Sequence, residues 1–88
     1  MTILQIEIED SRPVEARCEG DHLKVTLADG RVLQTPLWWY PRLAQAFPAD
    51  RLTIELTPLG VQWPRIDEDI SVASMLRGEK ALGAKPPA

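Results

Sequence analysis

The chain holds one cysteine, one histidine, one tyrosine and one phenylalanine, and the first two scarcities each exclude a class of protein. Cys18 has no second thiol to pair with, which excludes a small secreted scaffold stapled by internal disulfides. Its neighbours Arg17 and Glu19 roughly cancel, so nothing marks it as a reactive thiol, and it reads as a small core residue. With His22 alone, no histidine-based metal cluster and no His–His relay can be built. Zinc spacing, a nucleophile elbow and a phosphate-binding glycine loop are all missing. Ser11, Ser71 and Ser74 have no histidine near them in sequence, which argues against an enzyme. No cofactor is expected.

Long apolar runs are missing as well. No segment approaches the roughly 18 consecutive apolar residues of a membrane-spanning helix. The stretch MTILQIEIED lacks the basic n-region and apolar h-region of a signal peptide, so a cytoplasmic location is expected, with no membrane partner. Basic residues are few and scattered, and the net charge is −3, so no basic face is offered to a nucleic acid.

The 88 residues suffice for one domain with a thin core, since a chain of this size buries only about two thirds of its unfolded surface. The domain is expected to span residues 1–78, with residues 79–88 as a frayed tail. Apolar residues alternate with polar ones in several places, the mark of half-buried strands. Leu4, Ile6 and Ile8 form the first such run, and Val14, Ala16 and Cys18 the second. Leu23, Val25 and Leu27 form the third, beginning at a solvent-exposed His22. Asp29-Gly30 then signals a hairpin. A three-residue loop from Ala28 to Gly30, with Gly30 left-handed, places Val25 opposite Leu33 and keeps more apolar side chains on one face. Pro41 suits the first turn of a helix running to about Phe47, with Leu43 and Phe47 buried and Pro48 as its stop. Leu52, Ile54 and Leu56 read as another strand, joined through Thr57-Pro58-Leu59-Gly60 to Val61 and Trp63.

The stretch from Val61 to Gly78 is the densest in features. Val61 and Trp63 share one face of a strand that must end at Pro64. Asp67, Glu68 and Asp69 read as a charged turn. Asp69 or Ser71 caps a helix whose apolar positions are Val72, Met75 and Leu76, and Gly78 ends it. Strands in antiparallel runs with helices to one side define an α+β fold. A small antiparallel sheet of four to five strands, built from two hairpins, is expected, with two short helices packed on one side. Its open edges invite a homodimer.

Two constellations stand out for binding. Trp38, Trp39 and Tyr40 cannot all point into one small core, so at least one should sit at a groove or contact. The acids Asp67, Glu68 and Asp69 can meet a basic partner, but they lack the alternate spacing and bend glycine of a calcium loop, so no metal site is assigned.

The segments LADGR, PLWWYPRL and GVQWPRIDEDISVASMLRG also resemble the small bacterial family known as domain of unknown function 2442. The matching positions are Asp29, Gly30 and Arg31, then Trp39 to Leu43, then Trp63, Pro64 and Asp67 through Val72, within roughly residues 14 to 78. Gln62 stands where many relatives have histidine, and Trp38 where a small residue is common. The family has no established activity. Some members are encoded beside a small partner in pairs that resemble toxin–antitoxin modules, and others are fused to a helix-turn-helix. The resemblance therefore implies a binding or regulatory role.

Together these readings point to a protein-interaction or regulatory module, the antitoxin-like half of a pair. Its contact candidates are Trp38, Trp39, Tyr40, Arg42, Trp63, Asp67, Glu68 and Asp69. The alternatives are a homo-oligomeric structural domain and, behind it, a small carboxylate-based metal-dependent enzyme.

Overall fold

The computed structural model describes residues 10–87. The strand expected over Leu4, Ile6 and Ile8 lies outside them. The chain runs β1 (Pro13–Glu19), β2 (His22–Leu27), β3 (Val32–Pro36), a 3₁₀ turn (Leu37–Trp39), α1 (Pro41–Ala44), α2 (Pro48–Leu52), β4 (Glu55–Thr57), β5 (Gly60–Trp63), β6 (Glu68–Ser71) and α3 (Val72–Arg77). The α+β class holds, but the strands form two three-stranded antiparallel meanders, β1-β2-β3 and β4-β5-β6, where one sheet was expected. Three short helices and the 3₁₀ turn replace the expected two helices.

Each sheet is organised by its central strand. Leu23, Val25 and Leu27 of β2 alternate with half-buried polar residues and are fully buried. Val61 and Trp63 do the same in β5, with Gln62 on the opposite face, and the strand ends before Pro64. The β2–β3 register pairs Val25 with Leu33 and Thr26 with Val32, as a three-residue Ala28–Gly30 loop requires. Gly30 adopts φ 94°, a conformation that costs glycine little. The sheets approach each other where β1 runs beside β4 and β5, and α3 packs on β3 and β5. The resulting core also takes in Leu37, Tyr40, Leu43, Ile70, Val72 and Met75.

The helices depart from expectation at two prolines. α1 stops at Ala44, and Phe47 is 77% exposed where burial was expected. Pro48 forces the residue before it into extended backbone, and Phe47 has φ −65° and ψ 149°, so no helix can reach it. Pro48 then opens α2 at its first turn, where a missing N–H is harmless. α2 absorbs Leu52, which is 81% exposed, and strand β4 begins only at Glu55. Apolar alternation from Leu52 to Leu56 thus marks a strand that is half as long as the pattern suggests.

The acid run is the other correction. Glu68 and Asp69 belong to strand β6 and not to a helix-capping turn. Of the two candidate caps it is Ser71 that serves, accepting from Ser74 N–H at 3.0 Å. At the far end Gly78 is left-handed at φ 73°. Gly78 N–H donates to Met75 O at 3.1 Å and Glu79 N–H to Ser74 O at 3.0 Å, a Schellman closure. Val72 and Met75 are buried as expected, but Leu76 faces solvent.

β5 and β6 press close at Gly60, opposite Ser71. A Cβ there would run into the Ile70 carbonyl oxygen and stand 2.8 Å from Ser71 Cα, both backbone atoms with nowhere to go. Gly60→Ala should therefore destabilise the fold by about 1–3 kcal/mol, the usual cost of overpacking. Urea unfolding checks it, and a midpoint equal to the parent's would mean that the two strands part freely.

Candidate functional site

The 3₁₀ turn decides where the aromatic run points. Leu37 enters the core, while Trp38 and Trp39 are both left half-buried. Their rings meet edge to face at 6.4 Å, and Trp39 meets Tyr40 in the same way at 6.3 Å. Tyr40 itself is only 4% exposed, and its phenol donates to the buried Thr35 Oγ1 at 3.0 Å. Trp63 is fully buried, its indole N–H donating to Arg51 O at 3.2 Å. Both rings fill the core, Trp63 fully buried and Tyr40 reaching the surface only at the wall of one cleft. Among the expected contact residues these two are corrected to structural roles.

Of the other six, Arg42 and Asp67 meet directly. Arg42, at the second position of α1, is exposed and donates from Nη1 to Asp67 O at 2.8 Å. Asp67 has φ 53° at the turn before β6, a left-handed conformation that aspartate tolerates better than most residues. This bond staples the aromatic segment to the acidic one, 25 residues away. Asp67 and Asp69 are exposed and Glu68 is half-buried. Tyr40, Glu68, Asp69, Ile70, Ser74 and Lys80 line one cleft of about 160 Å³.

The acids do not converge among themselves. Glu68 pairs with Trp63 and Asp69 with Gln62, so successive residues of β6 face opposite sides of the sheet. Among the described residues no three His, Cys, Asp or Glu side chains gather as metal ligands.

Three features were not foreseen. Lys80 places its Nζ 4.5 Å from the centre of the Trp39 ring, and Ala81 N–H donates to Trp39 O at 2.9 Å. The first residues past Gly78 are thus laid along Trp39. No sequence pattern links a lysine to a ring 41 positions earlier. Arg51 is the second, with Nε donating to Leu43 O at 3.0 Å and Nη2 to Ala44 O, so it holds the end of α1. The third is an apolar shoulder. Ala16, Cys18, Pro48, Leu52 and Ile54 border a depression of about 430 Å³ beside edge strand β4, with Arg17 and Arg51 at its margin. Burial pushes the Cys18 thiol up and the nearby Arg51 guanidinium pulls it partly back, which leaves it a poor nucleophile.

The fold and this surface define a small α+β domain of two paired meanders, with an acidic and aromatic face at one end. A family model described as protein of unknown function (DUF2442) matches residues 13–81, and the chain belongs to that family. A crystal structure of a protein of unknown function from Rhodospirillum rubrum superposes with a TM-score of 0.71 at 22% identity, covering 83% of this chain and 93% of that one. A solution structure of an uncharacterised protein from Chromobacterium violaceum gives 0.74 at 23%, covering 91% of this chain and 77% of that one. At such identities the likeness speaks for the fold alone. No curated protein matches the chain. Neither the family nor these two structures indicate an enzyme. No described helix is long and apolar enough to cross a membrane.

The cleft has a consequence in alkali. Burial raises the Tyr40 phenol above its usual value near 10.0; its bond to Thr35 opposes this, and the Glu68 charge adds to it. The folded state then holds a proton that the unfolded chain releases, so this stabilisation is intact below pH 10 and fades as the pH rises beyond it. Tyr40 is the only tyrosine. Tyr40→Phe should cost about 1 kcal/mol at neutral pH through the lost hydrogen bond, and should flatten the loss of stability as the pH rises above 10. Urea midpoints across that range test it; parallel slopes in both proteins would refute the assignment.

Proposed function

We propose that this protein is a protein-interaction module, the regulatory or antitoxin-like half of a two-protein pair, and that it acts by binding. The observation that carries this reading is the convergence of residues 38–42 with residues 67–69 through the Arg42–Asp67 hydrogen bond. Exposed carboxylates at Asp67 and Asp69 favour a basic partner, setting orientation and association rate. Trp38 and Trp39 supply large, partly covered rings of the kind that anchor such contacts. The two-protein arrangement comes from the family resemblance, and the acidic balance of the chain agrees with it.

The double variant Asp67→Lys, Asp69→Lys should lower capture of a stoichiometric partner from the host about tenfold or more at low salt, with the difference shrinking as salt is raised. A Trp38→Ala, Trp39→Ala variant should lose capture at every salt concentration. Unchanged capture by the charge-reversed protein would remove the acids from the interface.

A second reading, self-association, is favoured by a separate observation. Phe47, Leu52 and Leu56 are each exposed, and Leu56 lies on β4, an edge strand of the second sheet. A second copy of the chain, placed across a two-fold axis, would cover both edges and both apolar shoulders at once. Leu52→Glu should then convert a dimer into a monomer in sedimentation equilibrium. A parent protein that stays monomeric at about 100 µM or above, weaker than any stable dimer, would end this reading.

A further inference from the structure

The chain does not leave the body of the fold at Gly78. α3 is already closed there, by the bonds of Gly78 N–H to Met75 O and of Glu79 N–H to Ser74 O. The residues that follow run across the two neighbouring tryptophans. Lys80 sets its Nζ 4.5 Å from the Trp39 ring centre and donates to Gly78 O at 3.4 Å. Ala81 N–H donates to Trp39 O at 2.9 Å. Gly83 and Lys85 then wall a hollow of about 260 Å³ together with Trp38, Pro41, Ala44 and Gln45.

A turn bends this segment on its way from one ring to the other. Ala84 N–H donates to Ala81 O at 3.1 Å, and Gly83 has φ 86°, the left-handed value that a type II turn needs at its third residue. Ala81 and Ala84 are half-buried, while Leu82 between them is fully exposed. Small side chains thus turn toward the body, and the one large apolar side chain does not. The hold is light: a single main-chain bond to Trp39 and an exposed ammonium over its ring. Because α3 is closed without residues 80–87, the segment can lift away and leave the helix intact.

We infer that residues 80–85 are an autoinhibitory strap, which covers the Trp38–Trp39 face in the free chain and has to leave it before a partner protein can use those rings. This rests on the reading of Trp38 and Trp39 as contact residues given above. The strap keeps two large aromatic rings from forming an open apolar patch while no partner is present. It lowers the apparent affinity for a partner by the fraction of molecules in which the face stands open.

Two full-length variants test it. Ala81→Pro removes the N–H that bonds Trp39 O. Gly83→Ala strains the turn at a position where the added Cβ meets nothing within 4 Å, so its effect comes through the backbone. The first readout is acrylamide quenching of tryptophan emission, to which the fully buried Trp63 gives the same background in every form. Both variants should be quenched more strongly than the parent. A peptide of residues 79–88, added in trans, should return Ala81→Pro toward the parent's quenching and leave the parent unchanged. The second readout is the partner capture described above. Each variant should retain the partner about fivefold more tightly than the parent, because the open face is no longer the minority state. Unchanged quenching, a peptide without effect on Ala81→Pro, or capture equal in parent and variants would each overturn the inference. Capture by none of the forms would instead end the interaction reading on which the inhibitory role rests, and the quenching difference would still stand.

Discussion

The indole N–H of Trp63 has to find an acceptor inside a core with almost no polar groups to spare. Trp63 is fully buried at the end of the central strand of the second sheet. An unmet donor there would cost roughly 1–3 kcal/mol. The carbonyl of Arg51 meets it, which fixes α2 against β5. The same arginine turns its guanidinium to Leu43 O and Ala44 O, at the end of α1 where helix carbonyls have no partners of their own. α1 in turn carries Arg42, which reaches the turn after β5 through Asp67 O. The path leaves β5 at Trp63 and returns to the same hairpin at Asp67. A four-residue and a five-residue helix, too short to be stable alone, are held in place by this loop of contacts.

This circuit explains why the acidic and aromatic segments share a surface. The 3₁₀ turn follows directly from β3, so its direction is set by the first sheet, and Tyr40 ties it back to that sheet through Thr35. β6 belongs to the second sheet. The Arg42–Asp67 bond therefore crosses between a segment set by the first sheet and a turn of the second, and α3 packs on β3 and β5. Gly78 ends α3 within 4.0 Å of the Trp39 ring, measured from a Cβ placed there, which is why the residues after the helix run along that ring.

Much of the first sheet was legible in the sequence. Leu23, Val25 and Leu27 alternate without interruption, Asp29-Gly30 marks the turn, and register arithmetic selects the three-residue loop that is observed. The ends of α3 were legible too, because Ser71 and Gly78 act through local backbone chemistry. Pro48 was ambiguous for a physical reason: proline both ends a preceding helix and opens a following one. Leu52 carries the right spacing for β4, yet the second proline-initiated turn consumes it. β6 was missed because Asp67, Glu68 and Asp69 are residue types depleted from strands, and a single Ile70 gives no alternation to count. The candidate contact residues were named one by one, but their convergence depends on Arg42 meeting a backbone oxygen, which no side-chain pattern reports. The depth of Tyr40 and Trp63 was not legible, because a buried aromatic and one at a rim look the same in sequence.

The three acids of the β6 hairpin have unequal structural justifications. Asp67 suits the left-handed turn. Asp69 faces outward on an edge strand, where charge discourages pairing with a stray chain. Glu68 is different. It lies half-buried against Tyr40, near enough for its charge to oppose ionisation of the phenol, and no cation pairs with it among the described residues. The one cationic group sharing its cleft, Lys80, is held by an aromatic ring instead. The Lys80 ammonium thus stands over Trp39, while the Glu68 carboxylate stays beside the Tyr40 phenol.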